Sequence, residues 1–267
     1  MIKTMYETAE ARRTLDPRYM TGYLKQAQWA EHIELKKIIN DLYEEKGWSP
    51  INIFDIGVGE ARVPVNLSEI DEIWNCIKNY TGIDINYDIL FTAEKNIKEK
   101  NLGDKVCVRF RDARNLDQMI HDFPNLRYDS ILCTFFTAGD FVPDSYSSKE
   151  NVDVSDLDIK SAFQRVFKAA YDLLQPSGKL VLGSVYTDNE PTSTRQREFY
   201  EKCGMTVISK PTDPFTATKE GFWSLRFTQK RIRELFDFVE PKNIEIRSLD
   251  TYKFARMVII KKEINHR

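Results

Sequence analysis

Histidine is nearly missing from this chain: there are three in 267 residues, His32, His121 and His266. They lie far apart and form no H-x-x-x-H pair, so no histidine-based metal site is expected. The four cysteines, Cys76, Cys107, Cys133 and Cys203, contain no C-x-x-C spacing, which removes zinc ribbons and thioredoxin-type redox motifs. Three of them fall in apolar runs and read as buried thiols of a reducing compartment. No apolar stretch approaches the roughly 20 residues of a bilayer span. The N-terminus lacks the apolar core of a secretory signal, so the expected location is the cytoplasm. Neither sign of charge dominates: 39 Lys and Arg face 41 Asp and Glu. That balance argues against a nucleic-acid binder that relies on a broad basic face. No G-x-x-x-x-G-K-[ST] phosphate loop, no G-x-S-x-G elbow and no internal repeat occurs, which leaves P-loop and serine-hydrolase chemistry unsupported.

What remains is enough apolar material for a sizeable core, 42% of residues, arranged in alternating periods. A helix is expected over Tyr23 to Lys46, with Leu24, Ala27, Trp29, Ile33, Leu35, Ile38, Ile39 and Leu42 at helical spacing and Gly47 closing it. Strands are expected at 51–56, 80–85, 105–110, 128–135 and 179–186, separated by helices near 88–100, 115–122 and 158–174. Such alternation predicts a doubly wound α/β fold, a mostly parallel sheet with helices on both faces. The tail reads as a helix over 228–238 and two strands, 243–248 and 253–262, whose short joint forces opposite directions. Two segments break the pattern, Gly139 to Leu157 and Thr187 to Arg226, and read as covers over the carboxyl edge of the sheet. Within the second, a helix is expected around 195–202 and a strand at 206–209.

The chemistry concentrates after the first strand, in Asp55-Ile56-Gly57-Val58-Gly59-Glu60-Ala61-Arg62. A strand, a glycine-rich turn and a helix start make a nucleotide-type site. The dinucleotide fingerprint needs a third glycine where Arg62 stands. An acid directly before the turn repels a pyrophosphate and suits an ammonium group. At the next strand end Asp84 is placed to accept from ribose hydroxyls. At the third, Asp112 is placed to accept from an exocyclic amine, and Ala113 offers a backbone amide to a ring nitrogen. Amine, ribose and adenine acceptors thus fall at successive strand ends.

These residues resemble the class I S-adenosylmethionine-dependent methyltransferases. Asp55 to Ala61 is similar to the first motif of that family, Gly82-Ile83-Asp84-Ile85-Asn86 to its ribose-binding strand end, and Phe110-Arg111-Asp112-Ala113 to its adenine turn. Tyr128 to Cys133 is similar to its fourth strand, and Leu173 to Leu180 to the helix, turn and fifth strand. The resemblance implies a three-layer α/β/α fold with a seven-stranded sheet whose last strand is antiparallel. It implies S-adenosylmethionine as cofactor, S-adenosylhomocysteine as product and no metal. Cofactor contacts are expected from Asp55, Gly57, Gly59, Ala61, Asp84, Ile85, Asp112 and Ala113, with Thr134 and Phe135 as near wall. Ala61 departs from the third glycine of the motif, and an extra helical turn is expected within 71–78.

On the acceptor side, Asp140 is a candidate to bind a cationic acceptor or take its proton. Its alternative role is capping the following turn. Tyr19 and Tyr23 lie in a region that closes over the site in the family. Phe215, Trp223 and Arg226 could hold an apolar or anionic small molecule, or form the core of the cover itself. The whole chain, 1–267, is expected to be one methyltransferase domain: a helical cover (1–48), a cofactor-binding core (49–186), a substrate cover (187–227) and a final helix and strand pair (228–267). The expected activity is methyl transfer to N or O of a small molecule. An NAD-binding oxidoreductase, a non-catalytic adenosyl-ligand-binding protein and a protein or RNA methyltransferase are the alternatives. Thr134-Phe135-Phe136-Thr137 stands where amino-base methylating enzymes carry [DNS]-P-P-[YFW], which counts against a nucleic-acid acceptor. Oligomeric state is not legible.

Overall fold

The computed structural model describes residues 5–6, 8–123, 125–141, 158–249 and 253–263. A seven-stranded sheet runs in the order β3-β2-β1-β4-β5-β9-β8. Its members are β1 Ile51–Ile56, β2 Ile77–Asp84, β3 Val106–Phe110, β4 Tyr128–Cys133, β5 Leu174–Tyr186, β8 Ile244–Ser248 and β9 Ala255–Lys261. The pairings from β3 through β5 are parallel, while β9 runs antiparallel to both of its neighbours. This is the expected sheet, with the one reversed strand inserted next to the edge.

Successive residues of a strand point to opposite faces, and here both faces are covered. Ile53 of β1, Leu132 of β4, Val181 of β5 and Ile259 of β9 enter one apolar core with helices α2 (Gly22–Glu45), α3 (Arg62–Ser68) and α5 (Tyr87–Glu99). Their neighbours Phe54, Ile131, Leu180 and Ile260 enter the other, with α6 (Leu116–Asp122), α7 (Ile159–Asp172) and α9 (Gln229–Leu235). Three layers follow directly from that alternation. β1 has no exposed position, which is why its sequence is a near-continuous apolar run.

Several boundaries differ from expectation. β5 begins at Leu174, because Leu174 pairs with Tyr128 before the Pro176-Ser177-Gly178 turn bulges out and pairing resumes at Lys179 with Ser130. β2 begins at Ile77, and α4 (Asp71–Trp74) supplies the extra turn that lengthens the path to it. The expected strand at 206–209 is a single bridge, Val207 to Thr218. Residues 187–227, expected as a substrate cover, are built instead on α8 (Glu190–Lys202), capped by Asn189, and on a small hairpin, β6 Phe215–Ala217 with β7 Trp223–Leu225, and none of them lines the main cavity. α1 (Ala9–Arg12) is a single turn capped by Thr8. Most of the first cover, 142–157, lies outside the described residues. Among the described residues no helix is long and apolar enough to cross a membrane.

Candidate active site

The strand order reverses direction between β1 and β4, and such a switch point opens a crevice at the carboxyl ends of the strands. A cavity of about 600 Å³ sits there, lined by the turns after β1, β2, β3 and β4 and by the N-terminal segment. That volume falls in the range of small-molecule sites.

The turn after β1 is held open by glycine. Gly57 has φ +73°, and a Cβ at that position would lie 2.3 Å from Thr137 Cγ2. The β1 turn and the turn after β4 therefore touch only because residue 57 has no side chain. Gly59, at φ +56°, donates its backbone N–H to Asp84 Oδ2 at 3.0 Å. Asp84 Oδ1 accepts the backbone N–H of Asn86 at 2.9 Å. Each carboxylate oxygen has two lone pairs, so Asp84 is fixed in place and still has acceptor capacity. Burial raises its pKa, with backbone N–H groups pulling the other way.

Asp112 also lines the cavity, but both of its oxygens accept from the Arg114 guanidinium, the closest contact being 2.7 Å. A ligand amine at Asp112 would share an occupied carboxylate. Ile85, Ala113, Thr134 and Phe135 are on the wall as well.

Asp55 is not. It is fully buried behind the glycine turn, where its Oδ2 accepts the Tyr80 hydroxyl at 2.5 Å and its Oδ1 has no partner. Burial, only partly offset by the Tyr80 hydrogen bond and the Arg62 charge, pushes its pKa from 3.8 up to about 7. The direct grip on an ammonium group expected from the sequence is not what this geometry presents, because the side chain faces β2 and not the cavity. Ala61 is likewise off the wall; buried at φ +62°, it starts α3 without a side-chain cap.

Behind the cavity stands a pair that sequence reasoning missed. Glu31 of α2 is fully buried. Its Oε1 accepts from Arg62 at 2.8 Å and its Oε2 from the backbone N–H of Phe135 at 2.8 Å. The Arg62 guanidinium in turn lies 5.1 Å from the centre of the Phe135 ring. One carboxylate thus ties together the helix that covers the site, the helix after the glycine turn and the turn after β4. Phe135 and Phe136 both have positive φ, 47° and 69°, a conformation that costs non-glycine residues of order 1–3 kcal/mol each. Phe136 stacks on Tyr186 at 3.8 Å, which helps to hold the strained turn. A Glu in an otherwise apolar helical stripe was the available signal for this role.

Asp140 lines the cavity just beyond this turn, and burial pushes its pKa well above the ordinary carboxyl value. The other acceptor-side expectations are corrected. Phe215 and Trp223 are buried in the second core of the sheet, their rings 5.2 Å apart and the Trp223 ring 5.9 Å from Phe163 of α7. Arg226 is buried too and binds Gln196 Oε1 and Thr216 Oγ1, each at 2.8 Å, and the carbonyl of Asp213, with Asp188 beside it. Phe215 and Trp223 serve as packing that docks the hairpin on the main core, and Arg226 serves as a strut between the hairpin and α8. Tyr19 and Tyr23 are not on the wall either; the Tyr23 ring carries Arg195 at 4.2 Å. The N-terminal segment does close over the site, but through Tyr6, Leu15, Pro17, Met20, Lys25 and Gln28. Among the described residues no cluster of His, Cys, Asp and Glu is arranged to hold a metal ion.

The same architecture recurs in solved structures. An O-methyltransferase family protein from Burkholderia thailandensis superposes with a TM-score of 0.57 at 12% identity, covering 98% of this chain and 64% of that one. The chain therefore spans less than two thirds of that relative. The chain has the class I methyltransferase fold. An S-adenosylmethionine-dependent methyltransferase from Clostridium acetobutylicum gives a TM-score of 0.55 at 12% identity, covering 95% and 96% of the two chains. An amino pentose methyltransferase from Micromonospora echinaspora, solved with S-adenosylmethionine bound, gives 0.52 at 12% identity with 98% of each chain covered. No protein-family profile and no curated protein matches the sequence.

Proposed function

We propose that this protein is an S-adenosylmethionine-dependent methyltransferase acting on N or O of a small-molecule acceptor in the cytoplasm. The observation that carries the reading is Asp84. Its carboxylate is fixed by the Gly59 and Asn86 amides, retains acceptor capacity and lies on a cavity at the switch point of the sheet. Paired ribose hydroxyls fit such a group. Gly57 and Gly59 let backbone approach the ligand closely, Asp112 and Ala113 stand at the base end, and Thr134 and Phe135 border the reacting end.

S-adenosylmethionine supplies an electrophilic methyl group on a sulfonium. What the chain must add is orientation and exclusion of water, and orientation alone is worth about 7–11 kcal/mol of barrier. The N-terminal residues from Tyr6 to Gln28 cover the cavity and supply that enclosure. Enclosure also favours a small acceptor over a polymer, and the amino pentose enzyme among the structural neighbours has a small acceptor by its description.

The oxidoreductase alternative is weaker. A dinucleotide pyrophosphate needs a helix N-terminus at the glycine turn, and α3 is only 7 residues long. Arg62, the cation nearest that turn in sequence, is spent on Glu31. The experiment is a methyl-transfer assay with methyl-labelled S-adenosylmethionine and a panel of small amines, alcohols and phenols. Label appearing in a small-molecule product supports the reading; label transferred only to protein or RNA redirects it to those acceptors.

A further inference from the structure

Asp140 is a buried acid of the cavity wall whose charge no cation among the described residues answers. Its Oδ1 is buried without a hydrogen-bond partner. Asp112 has Arg114, Asp84 has two backbone amides, and the buried Glu31 behind them has Arg62. Around Asp140 the titratable groups are Tyr6 from the N-terminal segment, Cys133 at the end of β4, Tyr186 of β5 and Tyr200 of α8. Each has its pKa raised, by burial first and by the Asp140 charge as a further cause. The Ser224 hydroxyl is the group that favours the Asp140 carboxylate, and no cation among the described residues offsets its burial. The preceding Gly139 is packed so tightly on β7 that a Cβ would lie 2.8 Å from the Leu225 carbonyl oxygen, so the backbone leading into Asp140 is closely held.

A buried acid without a counter-charge is costly, and a ligand that brings the missing charge recovers that cost on binding. The same cavity wall carries apolar and aromatic side chains, Tyr6, Leu15, Met20, Phe135 and Phe141, as well as cations such as Lys25 and Arg111. We propose that the wall around Asp140 is the acceptor subsite and that it takes a primary or secondary amine carried on an apolar or aromatic body. This rests on the methyl-transfer reading above and narrows it from N or O to N.

Three acceptor classes separate on this wall. A carboxylate or phosphate would add like charge beside Asp140 and pay for its own desolvation. An alcohol would hydrogen-bond but bring no charge, and a carboxyl group is far too weak a base for its proton. An ammonium brings the charge, and its proton is within reach of a carboxylate made more basic by burial. In the reaction, an N–H bond of the ammonium breaks and the proton passes to Asp140, leaving the nitrogen lone pair free. That lone pair forms the N–C bond to the methyl group as the C–S bond breaks, and the C–S electron pair stays on sulfur. The product leaves as a methylated ammonium and a neutral thioether.

The test is calorimetric titration of the full chain, saturated with S-adenosylhomocysteine, with phenethylamine, 2-phenylethanol and 3-phenylpropanoate. The expected result is phenethylamine binding at least about tenfold tighter than either isostere, with that preference lost in Asp140→Asn while S-adenosylhomocysteine affinity is kept. Net proton release on amine binding, read by repeating the titration in buffers of different ionisation heat, is expected as well. Equal affinities for amine and alcohol in the wild type, or no amine binding up to about 10 mM, would overturn the proposal without any variant being made. Failure of S-adenosylhomocysteine to bind the wild type would instead strike the methyl-transfer reading, so the two failures are distinguishable.

Discussion

Replacing Glu31 with glutamine removes one charge and almost no volume from the place where three elements meet. Glutamine can still accept the Phe135 N–H through its carbonyl, but it cannot answer the Arg62 guanidinium 2.8 Å away. Breaking one side of a buried ion pair costs about 3–5 kcal/mol. The Arg62 side chain is 25% exposed while Glu31 is not exposed at all, so water relieves part of the orphaned charge and the low end, about 3 kcal/mol, applies. For a chain of this size each kcal/mol moves the melting temperature by roughly 2–4 °C, giving a fall of roughly 6–12 °C. Glu31→Ala should fall further, since the Phe135 amide then loses its acceptor as well. Thermal unfolding followed by circular dichroism reads both variants, and a cycle with Arg62→Met isolates the pair. Gly183→Ala supplies an internal control: its methyl group would sit 2.5 Å from Glu31 Oε2, so its destabilisation should shrink in a Glu31→Ala background. A Glu31→Gln protein that melts within about 1 °C of wild type would refute the reasoning, because no buried pair of this geometry is that cheap to break.

Four further outcomes are expected. Asp55 keeps a proton in the folded protein up to about pH 7, where the free side chain has lost it at 3.8. The folded state binds more protons across that window, so stability falls as pH rises through it, by a share on the order of 4 kcal/mol. Asp55→Asn should flatten that fall; urea unfolding at pH 5 and pH 8 with an unchanged slope would place the titration elsewhere. Gly57→Ala combines a left-handed φ with a 2.3 Å clash on Thr137, so cofactor affinity should collapse, and wild-type affinity by calorimetry would mean that the two turns move apart freely. Trp223→Ala should cost about 3–5 kcal/mol of stability as a large core truncation, and a variant that melts normally yet loses turnover would return Trp223 to the acceptor site. Arg226→Met should destabilise the cover while leaving cofactor affinity intact; lost cofactor binding in a folded variant would contradict its placement as a strut.

The fold was legible because both of its signals are local. Apolar runs such as Ile51 to Ile56 mark strands buried on both faces, and helical spacing in α2, α5 and α7 marks what covers them. The cavity at the switch point was legible because its residues sit at strand ends, where chain order alone predicts a shared crevice: Gly57, Gly59, Asp84, Ile85, Asp112, Ala113, Thr134 and Phe135 are all on one wall. Asp55 failed the same test for a geometric reason. A strand's last residues alternate sides, and its side chain points under the sheet toward Tyr80. The rest of the cavity's surroundings was illegible because it depends on packing between distant segments. Glu31 meets Arg62 and Phe135 across the fold, and an aromatic cluster such as Phe215 and Trp223 looks the same in sequence whether it lines a pocket or fills a core.

The most direct measurement is a calorimetric titration of the protein with S-adenosylmethionine and, separately, with NAD. We expect one molecule of S-adenosylmethionine per chain, affinity lowered by about tenfold or more in Asp84→Ala, and no heat with NAD. No binding of S-adenosylmethionine, or uptake of NAD that depends on Asp84, would contradict the assignment of this cavity.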